Sequence, residues 1–202
     1  MLKAAMLIGG AAAAVAVLGL GAWAYIRATI ETPAHETLAA DGPFELRAYP
    51  AMTVAETERG GPRRAALRAG FRPLARYIFA SERDGDKIAM TAPVLQAPGG
   101  VGWRVAFVMP ADAARDALPA PGTDAVRLVD WPPARRAAVR FAGAADDDLL
   151  AEREAALRAW IAERGLTPLG PAVHAYYDDP MTPGFLRRNE ILIEVGDGAA
   201  AG

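Results

Sequence analysis

Few side chains in this chain stand at spacings that chemistry needs. There is no cysteine, which removes disulfides, thiolate metal sites, a cysteine nucleophile, c-type haem attachment and amino-terminal lipidation together. No Ser-His-Asp order, phosphate-cradling glycine loop or His-x-x-x-His spacing occurs. Asp146-Asp147-Asp148 could suggest a metal cluster, yet three acids opening a helix complement its positive end and need no ion. Asp178-Asp179-Pro180 reads first as a turn. In Arg187-Arg188-Asn189-Glu190, alternation sends Arg188 and Glu190 to one sheet face and Arg187 to the other. A partly buried arginine with a carboxylate partner more often fixes a strand than performs chemistry, so no catalysis is expected.

The elements that must position these groups alternate in kind. Residues 44–49 and 52–57 carry the period-two pattern of strands, interrupted by Pro50. Pro62 suits a helix's first turn, and Leu67, Phe71, Leu74 and Ile78 recur at helical spacing; Pro73 inside that pattern predicts a kink or a later start. Two apolar runs, 87–95 and 103–109, joined by Pro98-Gly99-Gly100, predict a hairpin that must stop or bulge at Pro93. The second half repeats the order: a strand at 137–141, a helix opened by Asp146 and closed by Gly165, and strands at 173–177 and 191–195. Corresponding elements lie about 80 to 86 residues apart, the mark of a duplicated half-domain. The expectation is an α+β fold of two β-α-β-β halves, mixed sheets curling about a shared core with both helices outside, and a cleft at the seam. Residues 119–123 read as the linker, and 196–202 as a fraying tail.

From Ala4 to Ile26 there is no charge, and Lys3 and Arg27 bracket the run. At about 1.5 Å per residue it is long enough to cross a hydrocarbon core about 30 Å thick. Residues 1–30 are therefore expected to be one transmembrane anchor in an inner membrane, with the domain at 31–196 on the periplasmic side; Ala22-Trp23-Ala24 leaves export after signal cleavage as the alternative. Of the formal charge of −2, Lys3 and Arg27 belong to this leader, so the remainder carries 20 basic against 24 acidic groups, near −4. Such a surface does not attract phosphate backbones, and nucleic acid is not an expected partner.

Four stretches, in order, then resemble one family: Phe44-Glu45-Leu46-Arg47-Ala48-Tyr49-Pro50, Lys87-Ile88-Ala89-Met90-Thr91-Ala92-Pro93-Val94, Ala138 to Gly143, and Pro180-Met181-Thr182-Pro183-Gly184-Phe185-Leu186-Arg187-Arg188-Asn189-Glu190. Together they are similar to the SOUL family of haem-binding proteins. The resemblance implies a distorted barrel of the gyrase-inhibitor-like effector-binding superfold. It also implies non-covalent binding of haem or another tetrapyrrole in an apolar cleft beside the first helix. Carried over by position, that helix contributes Arg68, Leu74, Ala75 and Arg76, and the loop contributes Met181 and Thr182. The propionates would meet Arg68, Arg72 or Arg76. Some family members carry a histidine in the strand matching Leu46-Arg47-Ala48-Tyr49; none stands here. Ligand candidates for iron are then His174, Met181, Tyr176, Tyr177 and His35, with His174 taken as the metal ligand. The same superfold resemblance leaves two other readings. One is a cleft hydrolase, needing a buried Glu beside an aromatic (Glu56 or Glu190 with Tyr77 or Tyr177); the other is an interaction module whose cleft its own side chains fill.

Overall fold

Strand pairing and helix packing follow from which residues can be buried on two faces at once. The computed structural model describes residues 29–198. The uncharged run at 4–26 and residues 199–202 lie outside them. Residues from Thr32 onward form a unit separate from Met1–Glu31, and among the described residues no helix is long and apolar enough to cross a membrane. The strands are β1 (Glu36–Asp41), β2 (Phe44–Tyr49), β3 (Met52–Arg59), β4 (Val94–Gly99), β5 (Gly102–Val108), β6 (Arg127–Trp131), β7 (Ala134–Ala142), β8 (Leu166–Pro168), β9 (Val173–Tyr176) and β10 (Arg188–Asp197). Helix α1 (Arg63–Ile78) follows β3, and helix α2 (Asp147–Glu163) follows β7.

The strands form one sheet in the order β1-β2-β7-β10-β9-β4-β5-β3-β6, with β8 added on β10. The pairings are all antiparallel, where mixed sheets were expected. After α1 the chain enters the β4–β5 hairpin, and after α2 it passes through β8 and β9, both of which pair with β10, so no strand gains a parallel neighbour. One lateral row runs Phe44, Val139, Ile191, His174, Gln96, Val105, Thr57 across seven strands. Phe44 opens β2 and Thr57 lies near the end of β3, yet Tyr49 and Met52 are three residues apart in sequence. Only a sheet that curls on itself with a large stagger satisfies both. Where it closes, the Arg136 guanidinium lies between the Tyr49 ring (5.3 Å) and the Trp131 ring (5.1 Å), joining β2 to β6 through a cation–π clasp.

Both faces of the sheet are covered, so strands that alternate in direction are buried on both sides. Val105, Phe107 and Ala55 meet Leu74, Tyr77 and Ile78 of α1. Val139, Ile191 and Ile193 meet Leu157, Trp160 and Ile161 of α2. Inside the curl, Val54, Leu95, Ala106, Val108, Ala138 and Ala175 pack together. Helix α1 runs through Pro73 without ending. A Cβ on Gly70 would stand 2.7 Å from Val105 Cγ2, so a glycine there lets α1 lie close on β5. Asp146 caps α2 by accepting from Leu149 N at 2.9 Å.

Four local expectations are corrected. The run at 87–95 becomes a continuous strand only at Val94, after the cis Ala92–Pro93 bond, because proline has no N–H to give a ladder. The hairpin turn is Gly100-Val101, with Gly99 paired to Gly102. Gly196 and Asp197 do not fray: they pair with Thr167 and Leu166. Strands β1, β6 and β8 were not foreseen, being short or lacking alternation.

Candidate functional site

At 100° per residue, α1 divides into three sides. Arg63, Ala66, Gly70, Leu74, Tyr77 and Ile78 face the sheet and are buried. Leu74 is completely buried in the core, so it is a packing residue and not the lining of an open cleft, contrary to the position-by-position expectation. On one flank stand Arg64, Arg68, Phe71 and Ala75; the Phe71 ring meets Phe107 edge-on at 5.2 Å. Arg72 lies on the crest. Arg76 turns to the far shoulder and pairs with Glu82 at 2.6 Å. Of the helix residues expected at the site, Arg68 and Ala75 share one flank, and beside them stands the exposed Phe71, whose spacing in the sequence reads equally as core.

From Phe107 the sheet register continues through Val94 and Tyr176 to Asn189, about 14 Å over three strand spacings. Val94 and Tyr176 are only half-buried. The loop 178–187 springs from the far side of this strip. Asp179 builds it: its carboxylate accepts from Met181 N (2.7 Å), Thr182 N (3.1 Å) and Thr182 Oγ1 (2.9 Å). Burial pushes the Asp179 carboxyl up, but these bonds outweigh it and hold it below the usual range. Arg187 ties the loop from within, donating to the carbonyls of Thr182 (2.8 Å) and Pro180 (2.6 Å). Thr182 is therefore buried and structural, while Met181 is 89% exposed and Phe185 76%. A loop tied by its own hydrogen bonds holds two large apolar side chains in water.

His174 lies beneath the helices, 6% exposed, with Nδ1 lacking a partner. Burial, reinforced by the charge of Arg63, lowers its pKa to about 4. Its imidazole is neutral but shielded, so the expected metal ligand is not presented to a ligand on the surface. Among the described residues no group of three His, Cys, Asp or Glu could hold a metal ion. Arg63 is the pin at this point: it donates to Asp147 (2.5 Å), Tyr176 Oη (2.7 Å) and the Ala145 carbonyl (2.7 Å), joining the start of α1 to the start of α2. The Arg63 bond lowers the pKa of Asp147, so the acidic triplet serves as cap and ion pair. His35 is exposed, its ring tilted against Tyr49 at 5.1 Å.

On the concave face, Glu190 accepts from Arg47 (2.8 and 3.2 Å), Arg140 (3.1 Å) and Tyr177 Oη (2.7 Å). Burial pushes the Glu190 carboxyl up, but the Arg47 bond and charge outweigh it and hold it below its usual range. Burial, then the charge of Glu190, raises Tyr177. Arg188 stacks over the Tyr177 ring at 3.8 Å. Glu56 is held by Arg127 at 3.0 Å. Each carboxylate is neutralised by guanidinium, an arrangement that locks strands. The seam between the halves, where a cleft was expected, is closed: β4 pairs directly with β9, and Leu95, Ala106, Ala138 and Ala175 fill the space behind it. A pocket between Tyr77, Arg83 and Gly122, at the far end of α1, has room for about one water, near 10 Å³.

A family model described as SOUL heme-binding protein matches residues 30–194. No curated protein matches the chain. Among solved structures, the EcmrR C-terminal domain is 14% identical, with a TM-score of 0.60, covering 76% of this chain and 97% of that one. EcmrR in a DNA complex is 13% identical with a TM-score of 0.58, over 76% of this chain and 57% of that one. A hydrolase from Listeria innocua is 11% identical with a TM-score of 0.56, over 79% and 94%. At such identities these likenesses show the fold alone. With the family model spanning nearly the whole described domain, the chain belongs to the SOUL heme-binding protein family.

Proposed function

We propose that the domain binds haem or a related tetrapyrrole without catalysis, on the strip between α1 and the 178–187 loop. The observation that carries this reading is the placement of Arg64, Arg68, Phe71 and Ala75 on one flank of α1, across Val94 and Tyr176 from the exposed Met181 and Phe185. A flat macrocycle gains from covering the apolar groups, and its propionates suit bidentate guanidinium. The Met181 thioether is the soft donor that the 178–187 loop offers, so iron ligation is weak and the macrocycle carries the affinity. The uncharged run Ala4–Ile26 supports placing the domain at the outer face of an inner membrane. The hydrolase reading is disfavoured by Glu190 and Glu56, both already paired with arginine and poorly suited to act as a base.

The test is an absorbance titration of the protein with hemin and with metal-free porphyrin. Both should bind with similar affinity, and Arg68→Glu should weaken both by about tenfold, the loss of one charge-assisted pair. Spectra that stay those of free ligand throughout the titration overturn the proposal.

A further inference from the structure

Helix α1 contains five arginines and no acidic residue. Its counterpart α2, in the same position in the second half, contains five acids and two arginines. Both helices cover a sheet equally well, so the fold does not demand the cationic surface of α1. Arg63 is buried and serves the junction with α2. The other four, Arg64, Arg68, Arg72 and Arg76, recur every fourth residue along about 18 Å and are all exposed. In this helix, ion pairs among the described residues are made by Arg63 and Arg76. Two propionates account for Arg64 and Arg68 on the flank; Arg72 and Arg76 turn progressively away from it. Phe79, 44% exposed, follows at the C-cap and projects between the directions of Arg68 and Arg72.

We propose that the crest of α1 docks on an anionic lipid bilayer. Guanidinium groups one turn apart match a plane of lipid phosphates, and an exposed phenylalanine among them suits the headgroup boundary, where helices with a basic face and apolar side chains settle. The uncharged run Ala4–Ile26 would hold the domain near such a surface, with β1 beginning at Glu36. The inference rests on the membrane placement proposed above and not on the tetrapyrrole. It brings the ligand strip to the lipid boundary, where an apolar macrocycle accumulates.

The absence of cysteine allows a clean test. Full-length protein carrying Ala65→Cys on α1, or Ala155→Cys on α2 as the control, is labelled with an environment-sensitive fluorophore. It is reconstituted in nanodiscs of phosphatidylcholine alone or with phosphatidylglycerol. Expected is a blue shift at position 65 in the anionic discs only, reversed by high salt and lost in Arg72→Glu/Arg76→Glu, with position 155 unchanged. Equal emission in the two lipid compositions overturns the docking face even when the chain co-elutes with discs. Failure to co-elute with either overturns the membrane placement and the docking with it. A DNA duplex that shifts position 65 as strongly as the anionic discs overturns the lipid assignment. Hemin titration in parallel reports the tetrapyrrole reading separately.

Discussion

His174→Phe should flatten the acid limb of the stability curve. The folded imidazole has a pKa near 4 against an ordinary value of 6.5, so the folded protein binds fewer protons than the unfolded chain between those values. Stability from this group is complete above pH 6.5 and is lost as pH falls toward 4. At about 1.4 kcal/mol per unit the full loss is about 3 kcal/mol, with about 2 kcal/mol of it gone by pH 5. Carboxylates with lowered pKa values, such as Glu190, lose their contribution only at lower pH. His35, exposed as a residue but with its ring partly desolvated against Tyr49 and facing the charge of Arg47, also has a lowered pKa and remains in the variant as an internal reference. Phenylalanine keeps an aromatic ring beside Trp103 and Tyr176, whose rings lie 6.1 and 6.5 Å from the imidazole, and abandons no hydrogen bond at Nδ1. The assay is urea denaturation followed by tryptophan fluorescence from pH 7 to 4.5. Wild type should lose about 2 kcal/mol more than the variant over that range. Parallel curves would mean that His174 titrates as if in water, refuting its burial and returning it as a candidate iron ligand.

Gly70→Ala should lower the melting temperature: helix propensity favours alanine by about 1 kcal/mol, but the new methyl would lie 2.7 Å from Val105 Cγ2, an overpacking cost of about 1–3 kcal/mol. Leu74→Ala should cost about 2–5 kcal/mol in chemical denaturation, while hemin affinity of the folded protein stays within about twofold, since the side chain is core and not ligand surface. Glu190→Gln should cost about 1–3 kcal/mol, because the buried Arg47 loses the charge at its Nη1 and Nη2 and keeps only Glu45, which accepts from its Nε at 2.7 Å. The double change Arg47→Met/Glu190→Leu should recover most of that loss in the same denaturation experiment.

Both helices, the ends of α2 and most of the strands were legible because each depends on neighbours a few residues apart. Alternation marks β3, and Asp146 and Gly165 mark the ends of α2. Strand β1 escaped notice because Glu36–Asp41 is exposed along its whole length and buries no face to write an alternating pattern. The run 87–91 looked like strand for a different reason: Ile88 packs against the end of α1, its N bonded to the Ile78 carbonyl, while Ala89 and Met90 stay exposed.

The candidate site divides in the same way. Composition excluded disulfides and thiolate metal chemistry, and the motifs singled out Arg68 and Met181, both of which the fold leaves exposed. They did not separate Leu74, sunk in the core, from Phe71 on the flank, because helical spacing alone does not say which side the sheet covers. Nor did they show that Glu190 is saturated by Arg47, its partner 143 residues away. Local order is written in periodicity and capping. Which charge meets which, and whether a seam between two halves stays open, depends on register across the whole curled sheet, and only the folded chain sets that register.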